Sequence, residues 1–294
     1  MPDARILLTG ATGFTGGYVL RELLERGKDV RCLVRPTSKT ARIQALGIPT
    51  VVGDIGDEAT MSALLREIDV LVNVASLGFG SGPALVRAAE SANVRRAVFV
   101  STTAIFTNLD AASKRTRVDA EHAIKASILA YTILRPTMIY GDPGDRNMAR
   151  LINWIRRVPF VPVVGSGRAL QQPVHVEDVA WAIAEVLEHS STSGKAYNLA
   201  GAKPLTFRDV AREASRAVGR NPISVPVPLR PAVLLLQTSE RLGLRLPVTH
   251  EQLLRLNEDK AFSYDEASND FGFAPRDFAS GIRQQVRTGT DRGA

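Results

Sequence analysis

Three glycines with regular spacing lie near the start of the chain, where exposed backbone amides could hold phosphate groups. Gly10, Gly13 and Gly16 follow a short apolar run at residues 5–9 and precede a segment whose apolar residues have helical spacing. In such a strand–turn–helix unit the first glycine permits a tight turn, the second lets the backbone approach a pyrophosphate, and the third lets helix and strand pack closely. The spacing therefore predicts a dinucleotide site. The residues expected to contact the dinucleotide are Gly10, Thr12, Gly13, Phe14, Thr15 and Gly16.

The end of the second apolar run indicates which dinucleotide is bound. Sites for NAD usually carry an acidic residue at this point, whereas NADP sites carry an arginine for the additional phosphate. Here residues 33–36 contain no acidic residue, and Arg35 can bind a phosphate through two parallel hydrogen bonds. We therefore predict NADP(H) in preference to NAD(H). The alternative interpretation is that Arg35 is simply a solvated residue at the end of a strand.

The elements that must position these residues alternate along the first half of the chain. Apolar runs at 5–9, 29–34, 50–52, 70–74, 97–100 and 131–134 are separated by segments of helical spacing at 16–26, 61–67, 82–92 and 118–126. Continuously apolar strands separated by helices predict a parallel sheet that is covered on both faces. This pattern predicts an α/β fold with a doubly wound parallel sheet, the Rossmann fold.

The second half of the chain has a different composition. Prolines and glycines become frequent after residue 141, helices are predicted at 176–188 and near 206–218, and a proline-rich connector is predicted at 222–231. We therefore predict a dinucleotide-binding core at residues 1–140. Residues 141–294 are expected to contribute to the sheet and to form a small C-terminal helical cap for a substrate or partner.

Residues 9–16 resemble the glycine loop of the extended and atypical members of the short-chain dehydrogenase/reductase superfamily. Segments 174–180, 197–199 and 271–281 are similar to the sugar-nucleotide epimerase/dehydratase branch, and the segments occur in the same order as in that family. The resemblance implies that residues 53–55 contact the adenine, that residues 73–75 form the fourth-strand motif beside the cofactor, and that residues 133–141 line the nicotinamide end. The cofactor residues implied in this way are Asp54, Ile55, Asn73, Val74, Ala75 and Pro136.

The catalytic residues of that superfamily are only partly present. Its enzymes use a tyrosine, a lysine four residues later, and a serine or threonine at the end of the fifth strand. Ser101 and Thr102 lie at the position of the serine or threonine. None of the five tyrosines has a lysine four positions on, so the usual proton donor is missing.

Two alignments of residues 110–121 with the family motif are possible. Lys114 could be the family lysine, with Asp110 at the position of the tyrosine. Alternatively Arg117 replaces the lysine and Ser113 the tyrosine. The distance along the chain from Glu121 to residues 135–136 favours this second alignment.

Three functions remain open at this point. The favoured one is an NADP(H)-dependent oxidoreductase acting on a carbonyl or alcohol of a small organic or nucleotide-linked substrate, with Ser101 or Thr102 holding the oxygen. Lys114, Tyr140 or His175 would then move the proton, although Tyr140 and His175 also have structural interpretations. The second is a regulator or assembly factor that binds NADP(H) without turnover, as in the NmrA-like and complex I accessory branches. The third is a sugar-nucleotide epimerase or dehydratase with an altered site.

Composition narrows the environment and partners that we expect. The 294 residues carry a net charge of +7, from 37 basic and 30 acidic residues, but the basic residues are dispersed, which argues against nucleic-acid binding. A single cysteine, Cys32, fits a reducing compartment, and four scattered histidines predict no metal site. Neither a signal-peptide pattern nor a membrane-length apolar run is present. We therefore expect a cytoplasmic protein that binds a small-molecule substrate and no membrane; the resemblance leaves a homodimer open.

Overall fold

The computed structural model describes residues 4–244, 246 and 248–291. Seven strands form one parallel sheet in the order β3-β2-β1-β4-β5-β6-β11, and the other strands form three separate two-stranded ladders. This topology confirms the predicted doubly wound α/β fold. The strands are β1 Arg5–Thr9, β2 Asp29–Val34, β3 Thr50–Val52, β4 Val70–Asn73, β5 Arg96–Val100, β6 Tyr131–Pro136, β7 Ile139–Tyr140, β8 Phe160–Val164, β9 Leu170–Gln171, β10 Val174–His175, β11 Lys195–Leu199, β12 Leu205–Thr206 and β13 Ile223–Val227.

Helices cover both faces of the sheet, and others form the C-terminal part of the molecule. Short 3₁₀ turns follow β4 at Leu77–Phe79 and β5 at Thr103–Phe106, and a third lies at Ser190–Thr192. No helix in the described part of the chain is both long and apolar enough to cross a bilayer. The helices are α1 Phe14–Glu25, α2 Ala41–Ala45, α3 Glu58–Leu65, α4 Gly82–Ser91, α5 Ala112–Ala126, α6 Met148–Arg157, α7 Val176–Glu188, α8 Phe207–Val218, α9 Leu229–Arg241, α10 His250–Leu256, α11 Asp265–Phe271 and α12 Phe278–Asp291.

Alternate residues of the central strands pack on opposite faces of the sheet. Leu8 and Val72 belong to a core that includes residues of α1 and α7, whereas Leu7 and Leu71 belong to a second core with residues of α3, α4 and α5. Because both faces are covered, both sets of side chains are buried, as the continuously apolar strands required. The C-terminal ends of these parallel strands lie along one edge of the sheet.

Several element predictions for the chain were incomplete. α5 begins at Ala112, six residues before the predicted helix at 118–126. The proline-rich connector predicted at 222–231 is wrong, because it contains β13, which pairs in parallel with β8, and the start of α9. A two-stranded ladder tolerates the proline of β13 because one edge of each strand needs no partner. β11 brings residues 195–199 into the main sheet beside β6. The proposed division at residue 140 stays a prediction.

A buried arginine connects the elements at the N-terminal ends of β5 and β6. Arg96, at the start of β5, is 8% exposed. Its guanidinium donates to Ala130 O at 2.6 Å and to the Thr132 and Thr192 hydroxyls at 2.5 and 2.9 Å. It also donates to Val186 O at 3.1 Å, at the end of α7. Burial lowers the pKa of Arg96 to about 10, so the group remains charged at neutral pH and is held by neutral acceptors.

Candidate functional site

The glycine loop is shaped by close backbone packing. Gly10 has a positive φ of +74°, and a Cβ there would lie 2.8 Å from the Ala75 nitrogen. A Cβ on Gly16 would overlap the carbonyl oxygen of Gly10. A Cβ on Gly13 would lie 3.2 Å from the same Gly10 oxygen, and no other atom of the described residues would be within 4 Å of it. The space outside Gly13 is therefore open.

The start of α1 lies directly behind this opening. Gly13 is the N-cap residue of α1, and no side chain in the described chain caps the helix there. Backbone N–H groups of the first helical turn lack partners within a helix and attract anions, as does the positive end of the helix dipole. The opening beside Gly13 therefore fits the pyrophosphate of a dinucleotide.

The ends of β1 and β4 hold the loop in place. Thr9 Oγ1 donates to Asn73 Oδ1 at 2.7 Å, and Asn73 Nδ2 donates to Ala75 O at 3.0 Å. Ala75 N in turn donates to Thr9 Oγ1 at 3.3 Å. Asn73 is fully buried, so it supports the loop from below, whereas Val74 lines the adjoining cleft.

Arg35 and Asp54 follow β2 and β3 at the same edge of the sheet. The Arg35 side chain is exposed, and its guanidinium forms no ion pair with any described residue. Asp54 Oδ1 accepts from Gly56 N at 2.8 Å, and Ile55 packs half-buried against the second core. Because β1, β2 and β3 are parallel neighbours, these residues lie on the side of the loop where the resemblance expects the adenosine. Thr12 is exposed on the loop, and Pro136 is buried at the end of β6.

A single open cleft runs from the glycine loop to the C-terminal part of the chain, with a volume of about 1200 Å³. It is large enough for a dinucleotide and a second ligand, since pockets for drug-sized ligands usually measure ~300–1,000 Å³. Apolar side chains are frequent along its walls. They include Phe14, Val74, Phe106, Met138, Ile139, Leu151, Phe207, Val248, Leu256 and Phe262.

The structure separates the two predicted oxygen-binding residues that follow β5. Ser101 is buried and its hydroxyl donates to Glu121 at 2.6 Å, and the same carboxylate forms an ion pair with Arg135. Thr102 lines the cleft, where its hydroxyl accepts from Ala104 N at 3.2 Å. Thr103 lines the cleft as well, although its hydroxyl donates to Pro136 O at 3.4 Å. Of the two predicted residues, Thr102 therefore lines the cleft and Ser101 does not.

Tyr140 and His175 are not part of the cleft wall. They are paired residues of β7 and β10, each 1% exposed, with ring centroids 5.2 Å apart. A Cβ on Gly281 of α12 would overlap the Tyr140 hydroxyl, so α12 packs directly on this pair. His175 Nδ1 accepts from Glu177 N at 3.3 Å and thereby caps α7. Burial raises the pKa of Tyr140 and lowers the pKa of His175 to about 4, which suits a structural role.

The residues that align with the absent tyrosine and lysine, Ser113, Lys114 and Arg117, lie on α5 beside the cleft. Lys114 Nζ donates to Thr107 O at 2.5 Å, so this lysine supports the turn after β5 from behind. In the favoured alignment, the Ser113 hydroxyl accepts from Arg255 at 3.5 Å, and the Arg117 guanidinium packs against Gly78. Burial and the charge of Arg255 lower the pKa of Arg117. These three side chains are engaged with the protein, and Arg117 cannot act as an acid at neutral pH.

Sequence reasoning missed the part of the cleft wall at residues 255–262. Glu258 accepts from the Thr107 hydroxyl at 2.5 Å and from Asn108 N at 2.9 Å. The Phe262 ring lies 5.6 Å from that of Phe106, measured between centroids. These contacts fasten the segment to the turn that follows β5. No signal in the sequence indicates them, because the partners are about 150 residues apart and belong to no spaced motif.

Several known proteins of similar sequence are named as reductases. A "Ceramide reductase" of Caulobacter vibrioides is 34% identical over 194 residues, which is 60% of this chain and 60% of that protein. The "NADH dehydrogenase [ubiquinone] 1 alpha subcomplex subunit 9, mitochondrial" of Arabidopsis thaliana is 25% identical over 288 residues, 89% of this chain and 70% of that protein. Other similar proteins are named as reductases of oxoalkanoate, azo and furan compounds.

Solved structures share the whole fold. The crystal structure of gox2253 matches with a TM-score of 0.81 and 25% identity over 99% of both chains. The UDP-glucose 4-epimerase of Thermotoga maritima matches with a TM-score of 0.77 and 17% identity, over 99% of this chain and 100% of that one, which shows the fold alone. The family model described as NAD(P)H-binding matches residues 10–190, which include the glycine loop, the ends of β2 to β6 and α7. The chain therefore belongs to the NAD(P)H-binding family.

Proposed function

We propose that the protein is an NADP(H)-dependent reductase that acts on the carbonyl group of a lipophilic small molecule. Family membership and relatives named as reductases support an NAD(P)-dependent oxidoreductase. The observation that carries the proposal is the continuous cleft, because it joins the glycine loop to the Thr102 hydroxyl and then to an apolar wall. A cofactor and a substrate can therefore share one space.

The residues present fit the cofactor. The open space at Gly13 and the first turn of α1 would hold the pyrophosphate, and the unpaired guanidinium of Arg35 would hold the additional phosphate of NADP(H). When bound, the reduced nicotinamide supplies a hydride to the carbonyl carbon. Thr102 would donate a hydrogen bond to the carbonyl oxygen, and the apolar walls would exclude water.

The cleft wall and the names of relatives both favour a lipophilic substrate. Phe106, Phe207 and Phe262 give the cleft an aromatic surface that suits an alkyl or aromatic chain. Relatives named "Ceramide reductase" and "2-alkyl-3-oxoalkanoate reductase" act, by those names, on a ceramide and on alkyl-substituted oxoalkanoates. A lipophilic carbonyl compound is accordingly favoured over a nucleotide-linked substrate.

Oxidation of NADPH by methyl ketones of increasing length, from butanone to tridecanone, tests the proposal. We expect kcat/KM to rise with chain length and to fall at least tenfold in Thr102→Val, with Thr102→Ser as the matched control that keeps the hydroxyl. NADH should serve less well than NADPH. NADPH binding without oxidation by any ketone would contradict the proposal.

That last outcome would favour a second function, an NADP(H)-binding protein without turnover. The absence of a Tyr-x-x-x-Lys motif and the similarity to a complex I subunit support this alternative. A cytoplasmic location and a homodimer also stay predictions.

A further inference from the structure

Lys260 lines the cleft, and its side chain has no hydrogen-bond or ion-pair partner in the described chain. The residue lines the cleft and is half-buried, and its backbone N–H donates to Leu170 O at 2.8 Å, which fixes its main chain beside β9. Among the described residues, no hydrogen bond or ion pair engages its side chain. A partly buried lysine usually finds a carboxylate, so this one is available to a ligand.

The neighbours of Lys260 place it beside the turn that follows β5. Two residues before it, Glu258 is bonded to Thr107 and Asn108. Two residues after it, Phe262 packs against Phe106. Lys260 therefore lies in a segment fastened on both sides to residues 106–108, shortly after Thr102 and Thr103, which also line the cleft.

The other titratable groups of the cleft wall are engaged or unsuitable. Asp145 accepts from the Asn147 and Ala149 amides at 2.9 and 3.0 Å and from Gln285. Asp259 accepts from Leu170 N at 2.8 Å, and both oxygens of Glu258 are taken. The arginines of the wall cannot release a proton at neutral pH.

We propose that Lys260 is the proton donor of the reductase, in place of the absent tyrosine, acting from the cap side of the cleft on the oxygen held by Thr102. This assignment rests on the proposed function. In the step, an Nζ–H bond of Lys260 breaks and an O–H bond forms on the substrate, while the carbonyl carbon receives the hydride that NADPH supplies. The products are an alcohol and NADP⁺, and the neutral lysine recovers a proton from water.

The electrostatic surroundings suit this role. Burial lowers the pKa of Lys260; the Glu258 carboxylate opposes this effect, and the Arg255 guanidinium of α10 adds to it. A lysine with a lowered pKa releases its proton more readily, as general acid catalysis near neutral pH requires. We therefore expect kcat to fall as the pH rises through the pKa of Lys260, because only the protonated form donates.

Kinetics of the full chain with NADPH and tridecanone test the assignment. Lys260→Gln and Lys260→Arg should each lower kcat by about 100-fold or more with little change in KM, since neither side chain can donate at neutral pH. Lys203→Gln, which removes an exposed lysine outside the cleft, should keep the wild-type values. The fall of kcat at high pH should disappear in Lys260→Gln, and all variants should keep the wild-type Tm and NADPH affinity.

Competitive labelling with acetic anhydride provides a readout that needs no substrate. In the NADP⁺-bound wild-type protein, the labelling of Lys260 should titrate at lower pH than that of a lysine-containing peptide added to the same sample. Equal titration of Lys260 and the peptide, full kcat in Lys260→Arg, or a change in KM alone would overturn the assignment. If wild type reduces no ketone, the proposed function fails and the assignment falls with it. If wild type reduces tridecanone and Lys260→Gln does so equally well, only the assignment fails.

Discussion

A side chain on Gly16 would overlap the carbonyl oxygen of Gly10, whereas a Cβ on Gly13 would lie 3.2 Å from that oxygen and meet nothing else within 4 Å in the described chain. Packing therefore requires glycine at Gly10 and Gly16. At Gly13 the φ of −83° is open to any residue and a Cβ would make one close contact, so packing restricts this position less than the other two. The loop could be predicted from the sequence because all of its determinants are local.

Substitution at Gly13 should separate binding from folding. We expect Gly13→Val to weaken NADPH binding by about 100-fold, because the side chain would occupy the space needed by the pyrophosphate, with little loss of stability. Gly17→Ala is the matched control, since its Cβ would have an ordinary contact of 3.8 Å with Ala11 O. Fluorescence titration with NADPH and thermal unfolding measure both properties. Unchanged NADPH affinity in Gly13→Val would contradict the proposed site.

Substitution of Arg35 should change the cofactor preference. Arg35→Gln should raise the Kd for NADPH by roughly 10- to 100-fold, the value of hydrogen bonds to a charged group, and leave the Kd for NADH unchanged. Arg220→Gln removes the same charge from an exposed position remote from the loop and should alter neither value. Isothermal titration with both dinucleotides measures the difference, and an equal effect of Arg35→Gln on both would refute the preference.

At the scale of elements, Arg96 joins β5 to β6, to α7 and to the 3₁₀ turn at Ser190–Thr192 through acceptors at residues 130, 132, 186 and 192. Arg96→Met should lower the free energy of unfolding by about 3 kcal/mol, because several buried acceptors would lose their donor. Arg95→Met removes the exposed neighbour, whose ion pair with Asp69 should contribute less than about 1 kcal/mol. Urea denaturation of both variants provides the comparison; equal losses would contradict the role given to Arg96.

Elements with strong local patterns were predictable, and elements defined by distant partners were not. β1 to β6 are continuously apolar, so their existence and order could be predicted. β13 could not, because its residues are largely exposed and only the pairing with β8 makes them a strand. The first six residues of α5 were missed for a related reason, since most of them are polar and show no apolar spacing.

At the scale of the whole molecule, the glycine loop and the cap segment form opposite parts of one cleft although they are far apart in sequence. Thr102 was predictable from its position after β5, but Lys260 was not, because only the folded chain brings it to the turn after β5. Tyr140 and His175 lie in a segment typical of the family, yet the structure buries both. Position in a motif therefore indicated the fold correctly but not which side chains face the cleft.

The buried neutral His175 should make the molecule sensitive to acid. Its pKa is about 4 in the folded state, mainly because of burial, and about 6.5 when unfolded, so the unfolded chain binds more protons between these values. The contribution of neutral His175 to the free energy of unfolding is complete above about pH 6.5 and is lost as the pH falls towards 4. At pH 5 the free energy of unfolding should be lower by about 2 kcal/mol for this reason. His175→Asn, which can still cap α7, should lose less stability between pH 7 and 5 in urea denaturation. Parallel losses would contradict this explanation.

The bonds from Glu258 to Thr107 and Asn108 also have a consequence for biosynthesis. A ribosome that adds roughly 5–20 residues per second needs about 8–30 s to pass from one partner to the other. The nascent chain will thus complete its glycine loop and first six strands well before the opposite wall of the cleft exists. A newly made molecule should acquire affinity for the dinucleotide first and the enclosed reaction space last.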